Sequence, residues 1–331
     1  MSFAYITEEG AYIKKRGERF VVGRNQEIVM EIPGHVLEGL VLIDSVQVSS
    51  AAMVALLQLG VPVTWISRRG KFFGRLESTQ HVHVERQVRQ IALQGSDLFL
   101  QFGKKVVAAK VHNQLTILRR YNRRAQVSAI DTAIQNILAM RKNIFLAEDA
   151  SRLMGHEGII ARVYFEAMGK LMPEAFAFGR RSRQPPLDEV NSMLSFGYTL
   201  LMYEVYTALT LHGLHPYFGF LHALRNHHPA LASDLMEEWR AAVVDSLVLS
   251  LIHHHEILPA HFERDEEGAG VYLTRVGRQI FLAAYERKMR TVNRYMAGAC
   301  SYRQSLPKQA ERFAQAMMAG EEAGYEPLFL R

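Results

Sequence analysis

The chain has 331 residues, of which 49% are hydrophobic and 22% charged, a composition typical of a globular protein large enough for two domains. No apolar stretch approaches the roughly 18 residues of a membrane span, and the acidic segment 1–10 does not resemble a signal peptide. The single cysteine, Cys300, excludes an internal disulfide and fits a reducing compartment. We therefore predict a cytoplasmic protein without a membrane partner.

Residues 1–79 have the pattern of a small β-domain. Short apolar runs, such as Phe3–Ile6 and Val41–Ile43, are separated by glycines, and apolar side chains alternate along Val61–Trp65. Arg69-Gly70 is typical of a hairpin tip, and one short helix is predicted at Ser50–Leu59. This pattern predicts a β-sandwich or β-roll.

Residues 80–331 have the pattern of a larger helical domain. No proline occurs between Pro62 and Pro173, which permits long uninterrupted helices. Ile130, Ile134 and Ile137 follow helical spacing. We predict an α+β protein with two domains, in which the β-rich domain precedes an all-α catalytic domain.

Positive charge is concentrated in two segments of the chain. The net charge of +6 alone says little about what the protein binds. Between Leu98 and Ile130 there is no acidic residue. The basic residues of this stretch are Lys104, Lys105, Lys110, Arg119, Arg120, Arg123 and Arg124. A second basic cluster, Arg180, Arg181 and Arg183, precedes Pro185-Pro186. The two interpretations are a solvated helix face and a surface that binds DNA phosphates, and the unbroken positive charge favours the second.

The segment 233–245 carries four acidic residues at helical spacing. On a helix they fall within about 100° of one another, opposite an apolar face. They are Asp234, Glu237, Glu238 and Asp245. One interpretation is a solvated first turn capped by Ser233, in which acidic residues are favoured by the helix dipole. The other is a cation site, because a divalent ion would relieve the repulsion between crowded carboxylates.

Two further residues are candidates for the same site. Glu157 lies between glycines where an apolar helix is predicted to begin, and His222 ends a glycine-broken aromatic loop. Taken singly, such a glutamate is typical of a helix cap and such a histidine of a packed side chain. The choice therefore depends on whether these residues belong to one pattern.

Four motifs occur in a fixed order. They are Glu157-Gly-x-x-Ala-Arg-x-Tyr-Phe, Pro185-Pro-x-Asp188-x-x-Asn191-x-x-Leu194-Ser-Phe-Gly-Tyr198-x-Leu-Leu, Gly219-Phe-Leu-His222 and Asp234-Leu-Met-Glu-Glu-Trp-Arg240. This series resembles CRISPR-associated protein one, the integrase subunit of spacer acquisition. The resemblance covers both parts of the chain.

The resemblance implies a catalytic site and a metal. The metal ligands would be Glu157, His222 and Glu237, with Asp234 as a supporting or alternative ligand and a further catalytic residue. Two carboxylates and one imidazole suit Mn²⁺ or Mg²⁺ and leave positions open for water and phosphate. The implied function is a metal-dependent DNA endonuclease and integrase, which captures foreign DNA fragments and inserts them as new spacers at the repeat array by 3′-hydroxyl attack on a phosphodiester.

The resemblance also implies partners. They are double-stranded and branched DNA, a second copy of the chain held through the N-terminal domain, and a dimer of CRISPR-associated protein two between two such homodimers. Arg162, Arg225 and Arg240 are candidates to bind phosphates, or else to form ordinary ion pairs. The further candidate DNA contacts are Arg119, Arg120, Arg123, Arg180, Arg181 and Arg183. The rival functions are a non-catalytic DNA-binding scaffold with a structural acidic cluster, which the ligand set argues against, and an iron oxygenase with one histidine and two carboxylates, which the charge distribution argues against.

Overall fold

The computed structural model describes residues 2–265, 270–295 and 298–331. The chain divides into two compact units, Met1–Val82 and His83–Arg331. The first is built mainly from strands and the second mainly from helices, so the predicted fold class is confirmed. No helix in these ranges is long and apolar enough to cross a membrane.

The first unit contains two four-stranded sheets and one helix. Its strands are β1 (Ser2–Ile6), β2 (Tyr12–Arg16), β3 (Arg19–Arg24), β4 (Glu27–Pro33), β5 (Leu37–Ile43), β6 (Gln47–Val48), β7 (Val63–Ile66) and β8 (Phe72–Leu76). The sheet orders are β1-β5-β7-β8, in which the first two pairs are parallel, and β4-β3-β2-β6, in which β2 and β6 are parallel. The helix α1 (Ser50–Gln58) begins after Ser49, whose hydroxyl caps the Ala52 N–H.

One core holds this unit together. Ile13 and Phe20 from one sheet and Leu40 and Leu42 from the other are at most 2% exposed, and Leu56 of α1 is fully buried with them. Alternate strand residues point to opposite faces, which is why Phe20 and Val22 of β3 and Leu40 and Leu42 of β5 enter this core together. Burial of these side chains contributes about 1.5–3 kcal/mol each to folding.

The second unit is a helical bundle. Its helices are α2 (Val84–Ala92), α3 (Asp97–Ala125), α4 (Ser128–Met140), α5 (Lys142–Leu146), α6 (Ala150–Gly169), α7 (Glu189–Leu211), α8 (Ala230–Arg240), α9 (Ser246–His253), α10 (Arg275–Arg290) and α11 (Tyr302–Ala319). A π-helical turn, Ala241–Asp245, joins α8 to α9 without a break. Helix α3 spans 29 residues and packs against α4, α6 and α8.

The all-α expectation for this unit needs one correction. Two short antiparallel hairpins accompany the helices, formed by β9 (Phe262–Arg264) with β10 (Val271–Leu273) and by β11 (Val292–Tyr295) with β12 (Gly298–Ser301). Each hairpin precedes a helix, and Thr274 and Ser301 then cap α10 and α11. The strands have only three or four residues, which is too short for an alternating pattern to stand out in the sequence.

Helix α8 lies at the centre of the bundle. Every residue from Ala230 to Trp239 is buried, so the helix has no solvated face. It begins after Pro229, three residues before the predicted cap Ser233, which is itself a buried helical residue. The solvated first turn considered above is therefore wrong, and the acidic residues of α8 are buried inside the protein.

Candidate metal centre

Glu157 lies in the middle of α6 rather than at its start. The helix begins at Ala150, where the Asp149 carboxylate accepts the Arg152 N–H at 2.8 Å. The predicted helix start at Glu157 was therefore wrong. The flanking glycines suggested a boundary, since a glycine inside a helix costs about 1 kcal/mol relative to alanine. Leu153 and Ile160 pack the same side of α6 into the core and place Glu157 beside α3, with 9% of its surface exposed.

His222 is held in place by Asp234 of α8. The Asp234 carboxylate accepts the N–H groups of Phe220 at 2.6 Å, Leu221 at 2.9 Å and His222 at 2.9 Å. Its Oδ1 also lies 2.6 Å from the imidazole Nδ1 of His222. A proton on Nδ1, donated to Asp234, leaves the Nε2 lone pair free to bind a cation. Asp234 is fully buried and thus sits behind the histidine as a positioning group.

Gly219 is required by this arrangement. A Cβ at this position would collide with the Asp234 Oδ2 and lie 2.8 Å from the Ala230 carbonyl carbon. Only a residue without a side chain lets the loop approach α8 closely enough for the carboxylate to reach three successive N–H groups. The loop Gly219-Phe-Leu-His222 is therefore fixed to α8 by the hydrogen bonds that three of its N–H groups donate to Asp234.

Glu237, one turn after Asp234, faces the imidazole. Its Oε1 lies 3.8 Å from His222 Nε2 and 3.2 Å from a guanidinium nitrogen of Arg240. Burial raises the pKa of Glu237, but Arg240, Lys110 and His222 outweigh this effect and hold the pKa at about 2. Glu237 is therefore an ionised carboxylate at neutral pH.

Lys110 of α3 brings the two glutamates together. Its Nζ lies 2.5 Å from Glu157 Oε1 and 2.5 Å from Glu237 Oε2. The lysine is 5% exposed; burial lowers its pKa, but the two carboxylates raise it more, so that the net shift is upward and the ammonium stays charged. Lys110 was expected on a basic surface, and this expectation is wrong because the residue is buried. The available signal was a lone lysine in the apolar run Val106–Val111, on the buried face of α3.

The donors present suit a hard divalent cation. Two carboxylates and one imidazole nitrogen lie close together, with 3.8 Å between His222 Nε2 and Glu237 Oε1 and one ammonium between the two glutamates. Among residues 2–265, 270–295 and 298–331, however, no three His, Cys, Asp or Glu side chains are already arranged to hold an ion. The Lys110 ammonium lies between the two glutamates instead.

The other two acids of segment 233–245 accept hydrogen bonds from other parts of the helical unit. Glu238 accepts hydrogen bonds from the Tyr325 hydroxyl, Gln309 Nε2 and the Leu328 N–H, and burial raises its pKa to about 7 despite these donors. Asp245 accepts the hydroxyls of Tyr164 and Tyr198. The expected row of four carboxylates on one face is therefore wrong, because a helix buried on all sides presents each carboxylate to a different neighbour.

A cavity of about 1300 Å³ opens over the centre. Its lining contains Lys110, Glu157, His222 and Glu237 together with six of the arginines proposed to bind DNA. These arginines are Arg162, Arg180, Arg181, Arg183, Arg225 and Arg240. Arg240 also stacks on the Tyr198 ring, 4.9 Å from its centroid, and so combines the ion pair with Glu237 and an aromatic contact.

The remaining predicted contacts lie elsewhere on the helical unit. Arg119 and Arg123 line a separate cavity of about 380 Å³, and Arg120 donates to the Arg331 carbonyl. The ammonium groups of Lys104 and Lys105 donate hydrogen bonds to backbone carbonyls. The basic stretch of α3 thus does not form one continuous surface.

Comparison with known proteins identifies the family. A family model described as CRISPR associated protein Cas1 matches residues 4–287. The chain belongs to the Cas1 family. The predicted resemblance is thereby confirmed, and it covers both units of the fold.

Similar Cas1 sequences extend over nearly the whole chain. The CRISPR-associated endonuclease Cas1 3 of Thermus thermophilus is 33% identical over 99% of this chain and 97% of its own length. The CRISPR-associated endonuclease Cas1 of Mycobacterium tuberculosis is 29% identical over 96% of this chain and 94% of its own length.

Solved structures share the fold. A Cas1 protein from Thermotoga maritima superposes with a TM-score of 0.83 at 22% identity, over 97% of this chain and 98% of that one. A casposase bound to an integration product superposes with a TM-score of 0.83 at 20% identity, over 97% of this chain and 92% of that one. A chain of a Cas6-RT-Cas1–Cas2 complex superposes with a TM-score of 0.87 at 23% identity, over all of this chain and 36% of that one.

Proposed function

We propose that the chain is a metal-dependent DNA endonuclease and integrase of CRISPR adaptation, with Glu157, His222 and Glu237 as ligands of Mn²⁺ or Mg²⁺. The observation that carries this proposal is the 3.8 Å separation of His222 Nε2 and Glu237 Oε1, with Glu157 joined to Glu237 through one ammonium. Atoms that share an ion of this kind each lie about 2.0–2.2 Å from it and therefore lie about 3–4 Å apart. The Cas1 relatives over the full chain are endonucleases by name, which supports the same reaction class.

The side chains divide the work between holding a cation and holding DNA. Asp234 keeps the Nε2 of His222 directed at Glu237, and Arg240 and Lys110 keep Glu237 ionised. A bound divalent cation would polarise the scissile phosphodiester and stabilise charge on the attacking and leaving oxygens. Attack by water cleaves DNA, whereas attack by the 3′-hydroxyl of a DNA fragment joins that fragment to the target strand.

The arginines supply the DNA-binding part of the site. Arg162, Arg180, Arg183 and Arg225 are exposed around the cavity that contains the two glutamates. Guanidinium groups bind phosphate oxygens in bidentate pairs, and this contact does not depend on base sequence. An enzyme that takes up arbitrary foreign DNA needs this kind of affinity.

Substitution of the ligands tests the proposal. His222→Ala and Glu157→Gln should each reduce Mn²⁺-dependent cleavage and strand transfer on branched DNA by at least about 100-fold, since each removes an atom that would bind the cation. DNA binding, measured by fluorescence anisotropy, should remain within a few fold. Glu311→Gln is the matched control, because Glu311 is exposed on α11 and pairs with Gln315 outside the site.

Two results would contradict the proposal. Full cleavage by either ligand variant would remove the catalytic assignment. DNA binding without any metal-dependent cleavage in the unmodified protein would instead favour the non-catalytic scaffold.

We further propose that the chain acts as a homodimer and that two homodimers flank a dimer of CRISPR-associated protein two. Light scattering should give twice the 37.6 kDa chain mass for the protein alone and a larger complex after mixing. A monomer at micromolar concentration, with no complex after mixing, would contradict this assembly.

A further inference from the structure

We propose that Lys110 is a built-in competitor for the metal: its ammonium neutralises Glu157 and Glu237 before a cation binds, and the cation must displace it from at least one carboxylate. This inference rests on the metal site of the proposed function and adds a residue that regulates its occupancy. Among the described residues, Lys110 is the lysine whose ammonium contacts both glutamates.

Geometry makes the lysine and the ion alternatives. The ammonium lies 2.5 Å from an oxygen of each glutamate, so it takes the position between them where a shared ion would bind. A Mg²⁺ ion binds carboxylate oxygens at about 2.0–2.1 Å. An ammonium and a divalent ion that both contacted these oxygens would lie within about 4 Å of each other, where like charges repel strongly in a buried site.

The same ion pairs explain how two carboxylates remain buried before metal binding. Glu157 and Glu237 are 9% and 3% exposed and belong to α6 and α8, while Lys110 belongs to α3. A buried carboxylate without a partner is strongly destabilising, so one ammonium that pairs with both carboxylates stabilises the packing of the three helices. A bound divalent cation would satisfy the carboxylates in its place and leave the Lys110 side chain free to turn toward the cavity that it also lines.

Metal affinity tests the competition directly. Lys110→Met keeps the length of the side chain and removes its charge, so Mn²⁺ should bind at least about 10-fold more tightly in calorimetric titration. If Lys110 only stabilised the local structure, its loss would weaken Mn²⁺ binding. The direction of the change in Mn²⁺ affinity therefore distinguishes a competitor from a structural residue. Lys105→Met is the matched control, since Lys105 lies on the same helix and binds the carbonyl oxygens of Glu322 and Tyr325. Its Mn²⁺ affinity should equal that of the unmodified protein.

The outcomes separate this inference from the proposed function. Equal or weaker Mn²⁺ binding by Lys110→Met, with normal binding by the unmodified protein, overturns the competition and leaves the metal site intact. Absence of Mn²⁺ and Mg²⁺ binding in the unmodified protein overturns both. Tighter binding supports the competition.

A measurement on the unmodified protein covers the case in which Lys110→Met fails to fold. The ¹⁵N signal of the Lys110 Nζ, assigned by its loss in Lys110→Arg, should shift when the protein is saturated with Mg²⁺, while the Lys105 signal should not. An unchanged Lys110 signal at saturation would show that the ammonium keeps both carboxylates, and the inference would fall.

Discussion

The Asp234 carboxylate holds His222 at two points, because its Oδ1 lies 2.6 Å from the imidazole Nδ1 and 2.9 Å from the backbone nitrogen of the same residue. The side chain and the main chain of His222 are thus positioned by one buried group. Glu237, one helical turn further along α8, lies on the Nε2 side of the same imidazole. This relationship makes Asp234 a positioning residue whose effect on the site is indirect.

Asp234→Asn should weaken Mn²⁺ binding by about 10–100-fold, because the imidazole loses the charged partner that orients it. The loop should also lose stability by about 1–3 kcal/mol, since one amide oxygen cannot accept every N–H that the carboxylate accepts. Calorimetric titration and urea unfolding measure the two effects separately. Asp188→Asn is the control for Mn²⁺ affinity, as Asp188 accepts the backbone N–H and the side-chain amide of Asn191 at the start of α7, and its substitution should leave this affinity unchanged. Unchanged Mn²⁺ affinity in Asp234→Asn would remove the positioning role.

Gly219→Ala should destabilise the protein by about 2 kcal/mol or more and reduce DNA cleavage, because its Cβ would push the loop away from Asp234 and Ala230. Gly155→Ala, on α6, is the matched control. A Cβ there meets no atom within 4 Å and should raise stability by up to about 1 kcal/mol. Urea unfolding and cleavage rates give the comparison, and equal effects of the two substitutions would contradict the tight loop.

Lys288 should make stability depend on alkaline pH. Burial, with a smaller effect of Arg120, lowers its pKa from 10.5 to about 8, although its ammonium also lies 5.1 Å from the Tyr302 ring centroid. Below pH 8 the folded protein carries the full cost of a buried charge. Between about pH 8 and 10.5 the unfolded chain binds the proton and the folded one does not, so the free energy of unfolding rises, by up to about 3 kcal/mol.

Lys288→Met should lack this rise. Its stability relative to the unmodified protein should therefore be greatest below pH 8 and decline by pH 10.5, as measured by urea unfolding across this range. Lys308→Met, at an exposed position on α11, should follow the unmodified protein at every pH. Parallel pH profiles for all three proteins would show that Lys288 carries no such cost.

The two groups of arginines should differ in their effect on DNA binding. Arg162→Gln with Arg225→Gln removes two exposed charges from the cavity over the glutamates and should reduce the salt dependence of binding, the slope of log K against log salt, by about 2. The substitutions Arg119→Gln, Arg120→Gln and Arg123→Gln test the other cluster, which we also predict to bind DNA. Anisotropy titrations at several salt concentrations give both slopes. An unchanged slope for either set would exclude that set from the DNA-binding surface.

The sequence predicted much of the fold because its patterns are local. The strand pattern of residues 1–79 and the helix at Ser50–Leu59 depend on neighbouring residues, and the structure reproduces them to within a few residues at the ends. The order of four motifs likewise identified the family. In contrast, the helical wheel at Asp234–Asp245 failed, because the π-turn at Ala241–Asp245 departs from the α-helical period and because tertiary packing buries every face of α8.

Lys110 shows why part of the site was missed. Its partners lie 47 and 127 positions away in the sequence, so no spacing rule joins them. A lysine in a basic stretch is ordinarily expected at the surface, where its charge would contact solvent or DNA. Lys110 instead lies on a buried part of α3. Burial of this charged group was predictable only from the continuous apolar run around it.

The π-turn between α8 and α9 accommodates one extra residue within an otherwise continuous helix. The turn absorbs the extra residue, so α9 keeps the orientation that a regular helix without this residue would have. A residue added within α8 would have no such turn to absorb it and would rotate the side chains that follow by about 100°, which would carry Asp245 away from Tyr164 and Tyr198. Loss of one residue from the turn itself should therefore be tolerated far better than a change of length within α8.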